Sequence, residues 1–299
     1  MGIASGLIPS QSPSLFFSAV VNYLKSSVSG SSIMSDIPVV LVFAGNDPTG
    51  GAGLQADIEA LASMGCHAAP VVTAITVQDT SNVLHFQAVD SELVIQQARA
   101  VLEDMKIAAI KIGMLGSEEN VAAIHSLLQD YPDIPVVLDP ILRAGGGTEL
   151  APASLAEAMR VLLLPQITLL TPNSEEARSL APQADTLAAC AEQLQTSGCI
   201  YILITGTHEP GQEVTNTLYG HQEILQTLNW PRLTESYHGS GCTLASACAG
   251  LLAQGLEIGE VSRNAQTYTW LALESGYRVG MGQFIPDRLS WTDTELDKQ

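Results

Sequence analysis

The segment Tyr237–Leu244 combines residue types that bind an anion at the start of a helix. It reads Tyr-His-Gly-Ser-Gly-Cys-Thr-Leu and leads into a predicted Ala-rich helix, Thr243–Ala253. Glycine lets the backbone approach a ligand closely, and the first N–H groups of a helix have no partner within it. Together with the helix dipole they favour a bound anion. The predicted anion site consists of Gly239, Ser240, Gly241 and Cys242. The alternative is a tight helix entry that buries a small cysteine.

Five cysteines are scattered along the chain, with no zinc-like spacing and no C-x-x-C pair. Cys242 and Cys248 share one predicted helix and lie about 9 Å apart along it, which exceeds the roughly 7 Å limit between the Cα atoms of a disulfide. All five are predicted to be reduced thiols of a cytoplasmic protein. Because a helix N-terminus stabilises a thiolate, the thiol pKa of Cys242 is expected to be lowered.

Asn173 and Glu176 form a second candidate site, at another predicted helix start. Their spacing places an amide and a carboxylate on one face of the helix, where they would hold Mg²⁺ through water. The same pattern is typical of an N-cap followed by acidic residues in the first turn. Taken alone, the segment favours the capping interpretation.

Two glycine-rich segments are candidate binding loops. Ala44–Asp57 lies between a predicted strand and a predicted helix. It contains neither the pattern of a P-loop nor that of a dinucleotide-binding turn, so an ordinary strand–helix turn explains it equally well. The run Gly145–Gly147 follows Asp139 and has the composition of a mobile loop, although a plain flexible connection explains it slightly better.

Short apolar runs alternate with helical patterns from Pro38 onward. The predicted strands are Val39–Ala44, Ala69–Ala74, Ala108–Ile112, Val136–Leu138, Ile167–Leu170 and Ile200–Ile204, followed by a hairpin of Thr215–Tyr219 and Glu223–Leu228. The predicted helices are Ala52–Met64, Glu92–Met105 with Ser91 as N-cap, Glu118–Leu128, Leu155–Leu163, Ser174–Leu180, Leu187–Thr196, Thr243–Ala253 and Gly259–Tyr277. The alternation predicts an α/β fold with a doubly wound, mostly parallel sheet and helices on both faces.

Polar residues and glycines collect where the predicted strands end. Ligands of doubly wound sheets bind beyond the carboxyl ends of the strands. The residues expected to meet at that edge are Asp47, Gly113, Met114, Asp139, Asn173 and Thr205.

The chain has 299 residues and a formal charge of −19. Nucleic acids and anionic membranes are bound by clustered Lys and Arg, so this acidity argues against both as partners. Any anionic ligand must be held locally, by helix N-termini, a few placed cations and Mg²⁺. Residues 34–299 are predicted to form one domain. Residues 1–33, with a short apolar stretch followed by a Ser-rich one, are predicted to be a disordered extension or the product of a misplaced start codon.

Six segments, taken in order, resemble a known family. They are Ala44–Asp57, Thr73–Gln78, Lys111–Leu115, Leu138–Pro140, Thr171–Ala177 and Gly239–Leu244. The chain resembles the ribokinase-like superfamily and, more closely, the bacterial hydroxymethylpyrimidine/phosphomethylpyrimidine kinases of thiamine biosynthesis. The resemblance extends from about Val39 to Gly280. It implies an ATP- and Mg²⁺-dependent kinase that phosphorylates 4-amino-5-hydroxymethyl-2-methylpyrimidine and then its monophosphate, and a homodimer would match the family.

The resemblance also implies roles for matching positions. Residues of the pyrimidine pocket are matched by Asp57, Gln78 and Met114, and Gly45 and Asp47 in the first turn are assigned to the substrate as well. Acidic positions near Mg²⁺ and the triphosphate are matched by Asp139 and Glu176. The anion hole and the presumed general base are matched by Gly239, Gly241 and Cys242. Nucleotide-binding roles are assigned to Asn173, Glu176, Thr205, Gly206 and Arg143.

Two departures from the family pattern concern positive charge. The family often has Lys-Gly-Gly-His after the late strand, and this Lys reaches phosphate. Here the segment is Thr-Gly-Thr-His, beginning at Thr205, so the Lys is absent. Arg143 is unusual at its position and is the candidate cation that compensates.

Two other functions stay open at this point. One is pyridoxal kinase, a sister activity on the same fold. The other is a non-catalytic vitamin-binding regulator, which the missing Lys favours and the intact Gly239–Cys242 segment opposes. Sugar and adenosine kinases carry Asp where Cys242 stands, so the cysteine favours the vitamin-kinase branch.

Overall fold

Apolar strands and amphipathic helices alternate along the chain in the computed structural model, which describes residues 37–292. The strands are β1 (Val39–Asn46), β2 (His67–Gln78), β3 (Val83–Ala88), β4 (Ile107–Ile112), β5 (Val136–Leu138), β6 (Leu169–Leu170), β7 (Tyr201–Thr205), β8 (Glu213–Gly220) and β9 (Glu223–Pro231). They form one sheet in the order β3-β2-β1-β4-β5-β6-β7-β8-β9. β1, β2 and β4 to β7 are parallel, whereas β3, β8 and β9 run antiparallel to their neighbours.

Helices cover both faces of the sheet. They are α1 (Gly53–Ser63), α2 (Ser91–Asp104), α3 (Glu118–Gln129), α4 (Ala153–Ala158), α5 (Ser174–Leu180), α6 (Leu187–Thr196), α7 (Ser240–Ala253) and α8 (Ile258–Glu274), with a π-turn at Met159–Leu163 and 3₁₀ turns at Leu164–Gln166 and Ser290–Thr292. Successive side chains of a strand point to opposite faces. In β1, Leu41 and Phe43 pack into the core under α2 to α6, and Val40 and Val42 pack into the core under α1, α7 and α8.

The strand order reverses at β1, which has β2 on one side and β4 on the other. The chain therefore leaves β1 and β4 toward opposite edges of the sheet. Such a switch point opens a crevice beyond the carboxyl ends of the strands, where doubly wound proteins bind ligands. The turns after β1, β4 and β5 and the start of α7 all lie at this end.

The predicted doubly wound sheet is confirmed, and so is the hairpin, now β8 and β9. At the hairpin tip His221 and Gln222 both have positive φ, 53° and 63°, as two-residue hairpin turns of type I′ require. Three local expectations are wrong. The N-cap of α2 is Asp90, whose carboxylate accepts from the N–H groups of Glu92 and Leu93, so Ser91 is already helical.

The other two differences are the start of α7 and the strand β3. α7 begins at Ser240 instead of Thr243, because Gly239 supplies a left-handed cap that lets the helix start earlier. β3 was not expected. It is an antiparallel edge strand with an exposed Leu84, so it lacks the continuous apolar run of a buried strand. The domain boundary at residue 34 lies outside the described residues.

Candidate active site

The N-terminus of α7 approaches the turn after β1 at very short range. Gly239, the N-cap, has φ of 85°, and a Cβ there would lie 2.0 Å from the carbonyl oxygen of Gly51. Only glycine tolerates both the conformation and the contact. The Thr243 hydroxyl donates to the Gly239 carbonyl oxygen at 2.8 Å, which closes the first turn of the helix. The predicted anion site is thus a helix start that packs directly on the turn after β1.

Asp47 holds the turn after β1 in shape. Its carboxylate accepts from the Thr49 N–H, the Thr49 hydroxyl and the Ala52 N–H, each at 2.8 Å. It also pairs with Nε2 of His238 at 2.8 Å. Burial by itself would raise the pKa of Asp47, but the hydrogen bonds from His238 and Thr49 outweigh it and lower the pKa below its ordinary value. Asp47 is therefore an anionic link between the β1 turn and the segment before α7.

A buried ion pair lies beneath these turns. Lys111 Nζ contacts Asp57 Oδ1 at 2.8 Å, with both side chains fully buried, and the Ser246 hydroxyl donates to the same oxygen at 2.6 Å. Burial would lower the pKa of Lys111, but attraction by Asp57, Cys242 and Asp139 raises it above its ordinary value. Asp57 has no exposed atom for a ligand in this conformation. It lies below the predicted pyrimidine pocket, and its role there stays a prediction.

The buried ammonium group of Lys111 packs against the backbone of Gly113. A Cβ on Gly113 would lie 2.7 Å from Lys111 Nζ. The absence of a side chain at position 113 therefore gives the buried ammonium group its space. The signal in the sequence was a single Lys inside the apolar strand β4.

Asp139 and Cys242 meet at the start of α7. Burial raises the pKa of Asp139 to about 6, with Lys111 opposing the rise, Asp57 adding to it and a hydrogen bond from Cys242 opposing it. Burial also raises the pKa of the Cys242 thiol to about 12, despite the favourable charge of Lys111. The expectation of a lowered thiol pKa is therefore wrong for this structure, because desolvation outweighs the helix N-terminus. A Cβ on Gly241 would lie within 3.6 Å of the Asp139 carboxylate, so a bare helix start faces it.

The predicted substrate residues gather at the ends of β1, β2 and β4. Gly45 faces Met114, whose Sδ lies 3.2 Å from the position of a Cβ at Gly45. Gln78 donates from Nε2 to the Thr76 hydroxyl at 2.8 Å. Gln78 and His238 line a narrow crevice with an empty volume of about 160 Å³, which the Gly145–Gly146 loop closes.

A larger cleft, with an empty volume of about 1020 Å³, lies on the other side of the Asp47 turn, next to α1. Tyr277, Val279 and Ile285 form its far wall. Among the sequence-predicted site residues only Asp47 lines it. The narrow crevice is lined by Gln78 and His238 but is too small in this conformation to hold a pyrimidine ring, so the place of the substrate stays a prediction.

The predicted nucleotide residues gather at the ends of β6 and β7. Asn173 and Glu176 form a full capping box: Asn173 Oδ1 accepts from the Glu176 N–H at 2.9 Å, and the Glu176 carboxylate accepts from the Asn173 N–H at 2.9 Å. Thr205 bridges to the same turn, donating from its N–H to the Pro172 carbonyl oxygen at 2.9 Å. Burial, followed by the charge of Asp139, raises the pKa of Glu176 to about 8.

Gly206 is fixed by a network that the sequence did not indicate. Its N–H donates to Asn216 Oδ1 at 3.1 Å, and Asn216 donates to Gln266 Oε1 at 3.0 Å. Trp230 donates to the same Gln266 oxygen at 2.9 Å, and Gln266 donates to the Ser262 hydroxyl at 2.9 Å. Helix α8 thereby holds the turn where the family Lys is absent.

Arg143 lies in the loop after β5, on the nucleotide side of the site. Its side chain is 65% exposed, and its guanidinium is 4.0 Å from the carboxylate of Glu175. A weak, solvent-exposed contact of this kind leaves the guanidinium able to turn toward a bound phosphate. Its role as the compensating cation stays a prediction.

Asp139 and Glu176 are two buried carboxyl groups whose negative charges repel each other, and a bound magnesium ion would compensate that repulsion. Asp139 Oδ2 is buried without a hydrogen-bond partner, and the charge of Asp139 raises the pKa of Glu176. Within residues 37–292 there is no group of three His, Cys, Asp or Glu side chains able to hold a metal. Mg²⁺ is usually bound by one or two carboxylates together with water and substrate phosphates. Asp139 and Glu176 match that requirement.

The fold defines a class of protein: an α/β phosphotransferase of the ribokinase-like fold. In this chain a glycine-led helix start packs on the turn after β1 and faces the Asp139 carboxylate. The chain belongs to the phosphomethylpyrimidine kinase family, which it matches over residues 47–287. It is 34% identical over 250 residues to the hydroxymethylpyrimidine/phosphomethylpyrimidine kinase of Rhizobium meliloti, covering 82% of this chain and 94% of the relative.

Solved structures agree with this assignment. The phosphomethylpyrimidine kinase of Clostridium difficile 630 superposes with a TM-score of 0.68 at 29% identity, covering 80% of this chain and 100% of that one. The pyridoxal kinase of Staphylococcus aureus in complex with ADP superposes with a TM-score of 0.78 at 25% identity, covering 85% and 94%.

Proposed function

We propose that this protein is an ATP-dependent, Mg²⁺-requiring kinase that phosphorylates 4-amino-5-hydroxymethyl-2-methylpyrimidine and then its monophosphate. The observation that carries the proposal is the position of the α7 N-terminus. There Gly239 packs against the carbonyl oxygen of Gly51 in the turn after β1, and Gly241 faces the carboxylate of Asp139. Family membership and the named activity of the Rhizobium meliloti relative support the same substrate.

The proposed reaction places each group where the geometry allows it to act. The hydroxymethyl oxygen, held on the side of Gln78 and Met114, attacks the γ-phosphorus while the bond to ADP breaks. The free N–H groups at the start of α7 stabilise the charge on the transferred phosphoryl oxygens. Mg²⁺, held by Asp139 and Glu176, would neutralise charge on the triphosphate.

Proton transfer is assigned to Cys242 together with Asp139. A thiol with a pKa of about 12 carries its proton at neutral pH, so it does not act as a preformed thiolate. Because Cys242 lies next to the Asp139 carboxylate, whose pKa it lowers, it is placed to receive the hydroxyl proton while passing its own to the carboxylate. Asp139, with a pKa of about 6, is largely ionised at neutral pH and is the final acceptor.

ADP release, measured with three acceptors side by side, tests the proposal. We expect turnover with hydroxymethylpyrimidine and with its monophosphate, and a much lower kcat/KM with pyridoxal. A higher kcat/KM with pyridoxal would make the protein a pyridoxal kinase, the second candidate, which the Staphylococcus aureus neighbour favours. Binding of the pyrimidine without any ADP release would identify a non-catalytic regulator.

Gln78 provides a test of the substrate side. Replacing its amide (Gln78→Leu) leaves a polar edge of the pyrimidine unpaired, which costs about 1–3 kcal/mol and weakens substrate binding roughly 5- to 150-fold. ATP affinity should stay nearly unchanged. The matched control is Gln87→Leu, on the exposed surface of the neighbouring strand β3. Equal losses for both ligands would place Gln78 outside the pocket.

Location and assembly are part of the same proposal. The five cysteines are all free and buried, which supports a reducing, cytoplasmic environment. No helix within residues 37–292 is long and apolar enough to span a membrane.

Exposed apolar side chains on β2, β3 and the segment before the C-terminus support a homodimer. They are Ile75, Val77, Leu84 and Met281. Sedimentation analysis tests it, with Leu84→Asp expected to give the monomer.

A further inference from the structure

Arg288 is the largest fully buried side chain among the described residues, although the chain has only 12 Lys and Arg in all. Its guanidinium makes three contacts. Nη1 pairs with Glu59 at 3.0 Å, Nε donates to the Thr243 hydroxyl at 2.9 Å, and Nη2 donates to the Gly51 carbonyl oxygen. The backbone of Arg288 is also fixed, because its carbonyl oxygen accepts from Ser63 at 2.7 Å and Tyr268 at 3.0 Å.

Two of these contacts connect the two turns of the candidate site. Gly51 belongs to the turn that Asp47 organises on the substrate side. Thr243 belongs to the first turn of α7 and donates in its turn to the Gly239 carbonyl oxygen. One guanidinium thus joins the substrate turn to the anion-binding helix start. Gly239 packs against the same Gly51 carbonyl oxygen that Arg288 binds, so a shift of either turn breaks the contact.

We propose that Arg288 is a positioning residue that fixes the separation between the acceptor hydroxyl and the transferred phosphoryl group. The inference rests on the proposed function. Each turn alone is able to bind its own ligand, because its local hydrogen bonds do not involve Arg288: Asp47 shapes the first, and the helix backbone shapes the second. Arg288 fixes the position of one turn relative to the other. The resulting distance between the two bound ligands affects the rate of transfer more than the affinity for either ligand.

The chemistry of the side chain suits this role. A guanidinium is planar and presents its donors in a fixed fork, so it holds two acceptors at a set distance, which a lysine ammonium on a flexible stem does not. The charge is balanced by Glu59, whose carboxylate is partly exposed. Arg288 therefore lies behind the reacting groups, with no contact to the crevice, and acts through Gly51 and Thr243.

The test compares kcat with the separate dissociation constants for the nucleotide and the pyrimidine. Arg288→Met should lower kcat by about 10- to 100-fold, because small misplacements at a reacting centre have effects of this size. Both dissociation constants should change by less than about 3-fold. Glu59→Gln is the matched control: it removes the ion-pair partner but leaves the Gly51 and Thr243 contacts, and should keep kcat.

Thr243 supplies an independent pair of variants in case Arg288→Met does not fold. Thr243→Val removes the hydroxyl at nearly constant volume and should reproduce the loss in kcat, and Thr243→Ser should restore it. In the double variant Arg288→Met/Thr243→Val the losses should not add, because both interrupt one link. Unchanged kcat in Thr243→Val, or a loss matched by weaker nucleotide binding, overturns the inference. An inactive wild-type protein instead refutes the proposed function.

Discussion

Cys242 and Asp139 are buried neighbours at the start of α7, and their environment raises the pKa of both groups. Desolvation penalises both charged forms, but the thiolate is the costlier of the two at neutral pH. In the sequence, a cysteine at a helix N-terminus predicts an activated thiol. The burial that raises its pKa depends on the tertiary packing of the β1 turn, which the local sequence does not indicate. In the proposed mechanism, the same buried position next to a carboxylate lets Cys242 act as a proton relay.

Removing the thiol separates the two phosphorylation steps. In the first step a neutral alcohol must lose its proton, whereas the attacking oxygen of the monophosphate is already largely ionised near neutral pH. Cys242→Ala should slow phosphorylation of the alcohol by about 10²-fold, the lower end of the range for a lost general base, since the transition state of phosphoryl transfer is loose. The loss for the monophosphate should be distinctly smaller, as measured by kcat/KM.

Cys248→Ala is the matched control for this variant, because Cys248 is buried in the same helix, two turns from the site. It should leave both rates unchanged. Equal losses for both acceptors in Cys242→Ala would make Cys242 a structural helix-entry residue and leave Asp139 as the base.

Lys111 is the residue on which the charge balance below the site depends. Among the residues that the structure describes, its one hydrogen-bonded carboxylate partner is the fully buried Asp57, so Lys111→Met leaves a buried anion without its counter-charge. Breaking such a pair costs about 3–5 kcal/mol, and denaturant unfolding should show a loss of that size. The double variant Lys111→Met/Asp57→Asn, which removes both charges, should recover most of the stability. A loss below about 1 kcal/mol in the single variant would mean that water reaches the pair.

The secondary elements were largely predictable because their signals are local. β5, α5 and α6 have the predicted bounds, Val136–Leu138, Ser174–Leu180 and Leu187–Thr196. Alternation of apolar runs with helical periodicity was sufficient for the parallel strands. The edge strand β3 was missed because its apolar side chains are half exposed, and its place depends on pairing with β2.

The site was predictable only where one segment carries it. The capping box of Asn173 and Glu176 and the glycine-led start of α7 are visible in the sequence. The contacts of His238 with Asp47 and of Arg288 with Gly51 join segments about 190 and 237 residues apart, and no local pattern reports them. Such long-range hydrogen bonds follow from the topology of the sheet.

Helix α8 is connected to the turn after β7 by the hydrogen bonds from Gln266 through Asn216 to the Gly206 N–H. Asn216→Ala would leave the buried Gly206 N–H without its partner and would remove one of the two donors to Gln266 Oε1, at a cost of about 1–3 kcal/mol. We expect that loss in the free energy of unfolding, with a several-fold higher KM for ATP and little change in KM for the pyrimidine. Calorimetry and initial-rate kinetics measure these quantities.

The control for this variant lies one residue earlier on the same strand. Thr215 makes an exposed hydrogen bond to Asn229 at 2.8 Å, so Thr215→Val should cost less than about 0.5 kcal/mol and leave both KM values unchanged. A similar rise of both KM values in Asn216→Ala would show that the network supports the fold in general and not the nucleotide turn.

At the scale of the whole molecule, a chain with a charge of −19 concentrates buried acids at the site of an anionic ligand. Asp139 and Glu176 are each harder to ionise than an ordinary carboxyl, because burial raises their pKa values. Ionising both carboxyls is unfavourable in the free protein. If Mg²⁺ binds there, as proposed above, it would compensate the two charges, and ligand binding would then stabilise the fold.

This linkage predicts how stability depends on pH. The pKa values of Asp139, about 6, and Glu176, about 8, exceed the ordinary values of 3.8 and 4.5. Between about pH 4 and pH 8 the folded protein therefore binds more protons than the unfolded chain, so the free energy of unfolding should fall as pH rises through this range. Asp139 alone accounts for a decrease on the order of 3 kcal/mol, since one pKa unit corresponds to about 1.4 kcal/mol. Asp47, with its lowered pKa, titrates below this window and does not contribute to the slope.

Denaturant unfolding at pH 5, 6, 7 and 8, with and without Mg²⁺ and ADP, measures the effect. Without ligand the free energy of unfolding should decrease from pH 5 to pH 8. Mg²⁺ with ADP should add more stability at pH 8 than at pH 5, because the cation favours the ionised carboxylates that the free protein disfavours. Asp139→Asn removes one titrating group at nearly constant shape, so it should flatten the ligand-free slope and reduce the stabilisation by Mg²⁺. A slope that rises with pH in the free protein, or one that Asp139→Asn leaves unchanged, would contradict the assignment of these two carboxyls to the metal.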